Sequence, residues 1–188
     1  MIKLRMQSMI VVLAIFLGGC LTAPTLPDNA AGDSNIGVLA IPKNTVNEPG
    51  VPLGLIGYLT EIQIRKKGEN TIYKSIRVDR NAGRAFKFIN DIEPGDYVLS
   101  GYATVPADSS VAVNSNKTPI RQLNKLFSIK PGSITVLPLQ ILTQRKSISV
   151  HRFSSSVSLV SLKQDLTEWQ ELLQKSKNYE QWEVVWPK

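Results

Sequence analysis

The chain has a single cysteine, Cys20, and a single histidine, His151, among 188 residues. One thiol excludes an internal disulfide framework, and one thiol with one imidazole excludes nearly every zinc or haem site. A phosphate-cradling Gly-rich loop, a dinucleotide fingerprint, a G-x-S-x-G elbow and an H-E-x-x-H pair are all missing. No cofactor and no metal are therefore expected. The apolar stretch from Met9 to Leu17 falls short of the about 20 residues that span a bilayer. The aromatic stacking motifs of nucleic-acid binders are also lacking. With 43% hydrophobic and 20% charged residues, the composition argues against wholesale disorder and for one globular domain.

Catalytic constellations are equally sparse. His151 lies between Val150 and Arg152 on an expected strand. To act as a base it would need Ser154, Ser155 or Ser156 together with Asp165, and serines so crowded read as a polar loop. Asp91, Glu93 and Asp96 could be imagined as paired glycosidase carboxylates, but they flank a turn glycine, where acidic residues serve solvation and turn geometry. The sequence reads as a non-enzyme, with an envelope hydrolase using His151 as the remotest alternative.

What is present begins at the N-terminus. Lys3 and Arg5 precede the Met9–Leu17 apolar stretch, and Gly18 and Gly19 lead into Cys20. A positive region, a short greasy core and small residues at a processing site make an export signal over residues 1–19. Leu17-Gly18-Gly19-Cys20 resembles the lipobox of bacterial lipoproteins. The resemblance implies cleavage between Gly19 and Cys20 and diacylglycerol on the Cys20 sulfur, usually with acylation of the new amine. Leu21 is not the aspartate that retains such proteins at the inner membrane of enteric bacteria, so the resemblance points to an outer-membrane anchor. Two or three acyl chains hold stably where one does not. Residues 20–35, with Pro24, Pro27, Asn29, Gly32 and Asp33, lack an apolar period and read as a flexible tether spanning roughly 20 Å.

Residues 36–188 read as the folded body. Ile56, Tyr58, Thr60, Ile62 and Ile64 share one face of a period-2 segment, and Ile72, Ile76 and Val78 continue the style across the Lys66–Asn70 hairpin signal. Further strands are expected at Phe86 and Phe88, Tyr97–Ala103, Leu123–Ile129, Ile134–Leu142, Ile148–Phe153 and Val157–Leu162. The expected fold is an all-β antiparallel sandwich with a C-terminal amphipathic helix. Pro94-Gly95 and Pro131-Gly132 each carry type II turn chemistry between apolar strand residues. The run Phe86-x-Phe88-x-x-x-Ile92-x-Pro94-Gly95-x-Tyr97-x-Leu99 resembles the prealbumin-like, or carboxypeptidase-regulatory-like, class of Ig-like sandwiches. Such domains serve as accessory and binding modules.

Near the end, Ser161 with Gln164 forms a capping-box signature, and Leu162, Leu166, Trp169 and Leu173 recur at helical spacing over about 162–177. The stripe is expected to pack on the domain's own sheet. Trp182 and Trp186 read either as core plugs or as an aromatic binding platform.

The formal net charge is +7, of which Lys3 and Arg5 contribute two charges. Arg77, Arg80, Arg84 and Lys87 cluster in sequence, as do Arg121, Lys125 and Lys130, and Arg145, Lys146 and Arg152. They read as a solvated basic face or as an anion-binding surface for headgroups or anionic glycans. The expected function is that of a lipid-anchored, non-catalytic envelope lipoprotein acting as a structural or ligand-binding accessory module. Its expected partners are membrane lipid through Cys20 and an envelope complex. The alternative is a surface adhesin for anionic glycans.

Overall fold

A run without alternation, Gly-Val-Leu-Ala-Ile-Pro, opens the strand on which everything else is assembled. In the computed structural model, which describes residues 24–28, 35–51, 58–81, 83–107, 119–149, 152–162 and 166–187, this strand is β1 (Gly37–Asn47). It is followed by β2 (Tyr58–Lys66), β3 (Lys74–Val78), β4 (Gly83–Ile92), β5 (Gly95–Pro106), β6 (Arg121–Ile129), β7 (Ser133–Val136), β8 (Leu139–Ser149) and β9 (Arg152–Ser161). A helix, α1 (Leu166–Gln174), a 3-10 turn at Tyr179–Gln181 and β10 (Glu183–Val185) complete it.

Two sheets form. The strands β3-β2-β5-β6 make an antiparallel sheet. In the other, β4 lies antiparallel along one side of β1. Along the opposite side of β1, β7 pairs with Val38–Ala40 and β8 with Lys43–Asn47, both parallel to β1. Parallel β10 extends the sheet beyond β7, and antiparallel β9 extends it beyond β8. The all-β, two-sheet architecture agrees with expectation, but this sheet is mixed rather than antiparallel. The cause is the crossover at Pro131-Gly132. Gly132 donates its N–H to the Ile36 carbonyl beside the start of β1, so β7 sets off in the direction of β1.

Both Pro-Gly segments prove to be passages between sheets, not hairpins within one. Pro94-Gly95 carries the chain from β4 into β5, and Pro131-Gly132 returns it from β6 to β7. Gly132 has the left-handed φ of 60° that a type II turn needs, whereas Gly95 sits at 154° and departs from that turn. The Tyr97 hydroxyl clasps the first passage by donating to the Glu93 carbonyl at 2.6 Å. Where β1 begins, a Cβ on Gly37 would collide with Ile129, so only glycine permits the two sheets to approach there.

β1 is buried on both faces. Leu39 and Ile41 point between the sheets with Ile62, Ile64, Ile76, Val78 and Leu99. Val38 and Ala40 point outward, beneath Trp169 and Leu173 of α1, with Phe86 and Trp182. Three layers therefore stack: sheet, sheet, helix. Pro42 lacks a donor, yet shares its ladder side with Ala40, whose carbonyl accepts the Leu137 N–H. That side is interrupted between β7 and β8, so the missing N–H deprives no neighbour.

Three local readings need correction. Residues 20–35 are not a tether throughout, because Pro24–Asp28 docks on the helix side. Leu26 is 1% exposed, its N–H reaches the Lys177 carbonyl, and Trp182 Nε1 donates to Pro27. The strand expected at Ile148–Phe153 is split between the end of β8 and the start of β9, which pair with each other. Ser154–Ser156 lie in strand β9, not in a polar loop. Ile56, Gln164 of the capping box, and the leader with Gly19, Cys20 and Leu21 lie outside the described residues. Among the described residues, no helix is long and apolar enough to cross a membrane.

Candidate functional site

The space between the sheets changes character along its length. At the end where β1 starts it is aliphatic. Toward the end where β1 finishes, the inward positions turn polar and then cationic. On β1 the inward series is Leu39, Ile41, Lys43, Thr45, all buried. On β8 it is Ile141, Thr143, Arg145, and the alternation of Ile76 and Val78 on β3 continues to Arg80. On β2 the polar end is Thr60.

These interior cations are not equivalently satisfied. Lys43, 6% exposed, is paired with the Asp79 carboxylate. Arg80, 3% exposed, is held entirely by neutral acceptors. Its Nε donates to Thr60 Oγ1 at 3.3 Å, and its Nη2 to the Leu59 carbonyl at 3.1 Å and Thr104 Oγ1 at 2.9 Å. Its Nη1 reaches Ser155 Oγ at 3.4 Å. Burial, reinforced by neighbouring Arg145, lowers the Arg80 pKa to about 10, so it stays charged at neutral pH. Arg145, 5% exposed, donates through Nη2 to the Arg80 carbonyl at 2.8 Å, while its buried Nη1 has no partner among the described residues. Among the described residues, neither guanidinium is salt-bridged to a carboxylate. An unpaired charge so placed costs several kcal/mol in desolvation.

Both guanidinium groups line a pocket of about 960 Å³ at this end of the sandwich. Arg121 of β6 joins them. It is exposed, and its Nη1 donates to the Tyr102 hydroxyl at 3.2 Å, with the guanidinium 5.7 Å from that ring centre. Tyr58 and the serines of β9 complete the polar wall, and Phe153 adds an aromatic surface. The described lining holds no carboxylate, histidine or cysteine. Such a lining can attract and orient an anion, but it supplies no general base of ordinary pKa.

The basic clusters seen in the sequence are thus taken apart and recombined. Of the first cluster only Arg80 reaches the pocket. Arg77 is exposed and pairs with Glu61 at 3.5 Å, Arg84 pairs with Glu168 of α1, and Lys87 is half-buried on β4. Arg121 comes from the second cluster and Arg145 from the third, while Lys125 and Lys130 are exposed and Lys146 faces Glu48 at 3.7 Å. Of the three imagined carboxylates, Asp91 is exposed near the end of β4 and the other two are already engaged. Glu93 takes Lys66 at 2.7 Å, and Asp96 accepts from Ser128 and Lys67, which hold its carboxyl below the usual range. Trp182 is 7% exposed and belongs to the helix-side core, where half-buried Trp186 also packs, so the core-plug reading describes this pair. His151, Asp165 and the side chain of Arg152 lie outside the description. No group of metal-ligating side chains occurs among the described residues. Comparison with protein-family models, with characterised proteins and with solved structures finds no match to this chain.

Proposed function

We propose that the protein is a lipid-anchored, non-catalytic lipoprotein of the bacterial envelope, held at the outer membrane through acylated Cys20, and that its body is a ligand-binding accessory module. The leader with Leu17-Gly18-Gly19-Cys20 supports the anchor. The binding role is carried by one observation: the buried, carboxylate-free guanidinium pair of Arg80 and Arg145 in an open pocket. The finer likeness to prealbumin-like sandwiches rests on the two Pro-Gly passages that follow Phe86, Phe88 and Phe127. The parallel pairings of β1 depart from an all-antiparallel plan.

A second reading, a surface adhesin for anionic glycans, draws on the same arginines together with the serine hydroxyls of β9. It gains nothing from Trp182, which is buried.

Metabolic labelling with palmitate in an expressing bacterium tests the anchor. The full-length chain is expected to incorporate label and enter the detergent phase on phase separation, and Cys20→Ala to do neither. Equal labelling of both would remove the anchor.

A further inference from the structure

We infer that the pocket between the ends of β2, β5, β8 and β9 binds a small polyhydroxylated oxyanion, with its carboxylate or phosphate group received by Arg145 and Arg121. This deepens the ligand-binding half of the function proposed above and is independent of the anchor.

Three observations converge. First, Arg145 is more than nine-tenths buried, yet among the described residues its Nη1 donor is left without a partner beside a cavity. Native structures rarely leave such a group unsatisfied, and a guanidinium fork matches the paired oxygens of a carboxylate or phosphate. Arg80 is the less available of the pair. Its four contacts to neutral oxygens hold it as a fixed positive background behind Arg145.

Second, the third buried cation behaves differently. Lys43 faces the carboxylate of Asp79. Among the described residues, the buried cations without a salt bridge are Arg80 and Arg145, and both stand where the sandwich opens. Arg121 stands there, steadied by Tyr102, in position to capture an incoming anion.

Third, the remainder of the wall suits a scaffold rich in hydroxyls. Ser155, opposite Arg145 in the β8–β9 ladder, is exposed, and Tyr58 and Thr104 stand among the lining residues. A volume of about 960 Å³ lies within the range for small-molecule sites. Sugar acids and sugar phosphates share this chemistry, and the two are separated by the choice of probe.

The test is calorimetric titration of the full-length chain in detergent, at constant ionic strength, with glucuronate, glucose 6-phosphate and neutral glucose. Saturable binding of one or both anionic probes is expected, without binding of glucose. The probe that binds identifies the group received. Arg145→Gln is expected to weaken binding tenfold or more without lowering the melting temperature of the ligand-free protein. A purely structural arginine would instead cost stability on replacement. No saturable binding by either anion, equal binding of glucose, or weakening of less than tenfold in Arg145→Gln overturns the inference. Should that variant fail to fold, Arg121→Gln decides by the same tenfold criterion.

Discussion

Lys43 and Asp79 show how a single pair sets the acid limit of the fold. Lys43 is placed by strand alternation into the space between the sheets, where an ammonium without a partner would be untenable. Asp79, just beyond β3, meets it while keeping about a third of its side chain in water. Burial pushes the Asp79 carboxyl upward, but the bond from Lys43 and the N–H of Asn81 outweigh it, and the net pKa is lowered. A carboxylate whose folded pKa is depressed adds stability above its unfolded pKa, near 4, and that stability fades as pH falls through the folded value. Asp79→Asn should therefore cost about 2 kcal/mol at pH 7, a figure reduced from that of a fully buried pair because Asp79 is partly solvated. The cost should shrink steadily as pH falls below about 4. Urea unfolding of both proteins across that range checks it, and a gap that stays constant with pH would exclude this pair as the cause.

At the scale of elements, visibility in the sequence tracked how many faces each element buries. β2 and β3 were legible because Thr60, Ile62 and Ile64, then Ile76 and Val78, alternate with polar neighbours. α1 was legible because its stripe, Leu166, Trp169 and Leu173, meets only one neighbour. β1 is not legible by alternation because both its faces are covered, which leaves a continuous apolar run interrupted by Pro42. The docking of Pro24–Asp28 was hidden for a different reason, since a lone Leu26 in a proline-rich stretch carries no period. The pocket was half legible. Its arginines form clusters along the chain, but the informative signal is parity: Arg80 and Arg145 continue the inward series Ile76–Val78 and Ile141–Thr143. Which strands bring those series together depends on sheet order, which local pattern does not encode. Two-sided burial has a direct consequence. In β1, adjacent truncations Val38→Ala and Leu39→Ala should each destabilise by about 2–3 kcal/mol. In β2, Ile62→Ala should cost a similar amount while adjacent Gln63→Ala stays within about 0.5 kcal/mol. Denaturant melts of the four variants decide it, and an indifferent Val38→Ala would mean that the outer face of β1 is not covered.

For the whole molecule, the central question is where the folded body starts. The ladder places a segment near the N-terminus against one near the C-terminus: Thr25 bridges Lys177 in parallel, Lys177 donates its N–H to the Pro24 carbonyl, and Asn178 Nδ2 reaches the Leu26 carbonyl at 3.1 Å. Leu26 then fills the helix-side core beside Trp182, whose indole N–H is satisfied by Pro27. Residues 24–28 thus close the core that covers the outer face of β1. If Cys20 carries the acyl chains proposed above, only residues 21–23 separate it from this docked segment, and the helix side of the body is held near the headgroups. The pocket, at the finishing end of β1, lies about five to seven strand residues further along, roughly 16–23 Å at the usual rise per residue. Two truncations separate a docked segment from a tether. Removing residues 1–23 should leave the melting temperature unchanged. Removing residues 1–28 deletes the Leu26 side chain and its hydrogen bonds and leaves the Trp182 indole unpaired, a loss of about 3 kcal/mol. For a body of this size that corresponds to a fall of roughly 6–12 °C by calorimetry. Equal melting temperatures for the two truncated chains would show that the segment hangs free, and the body would then begin at β1.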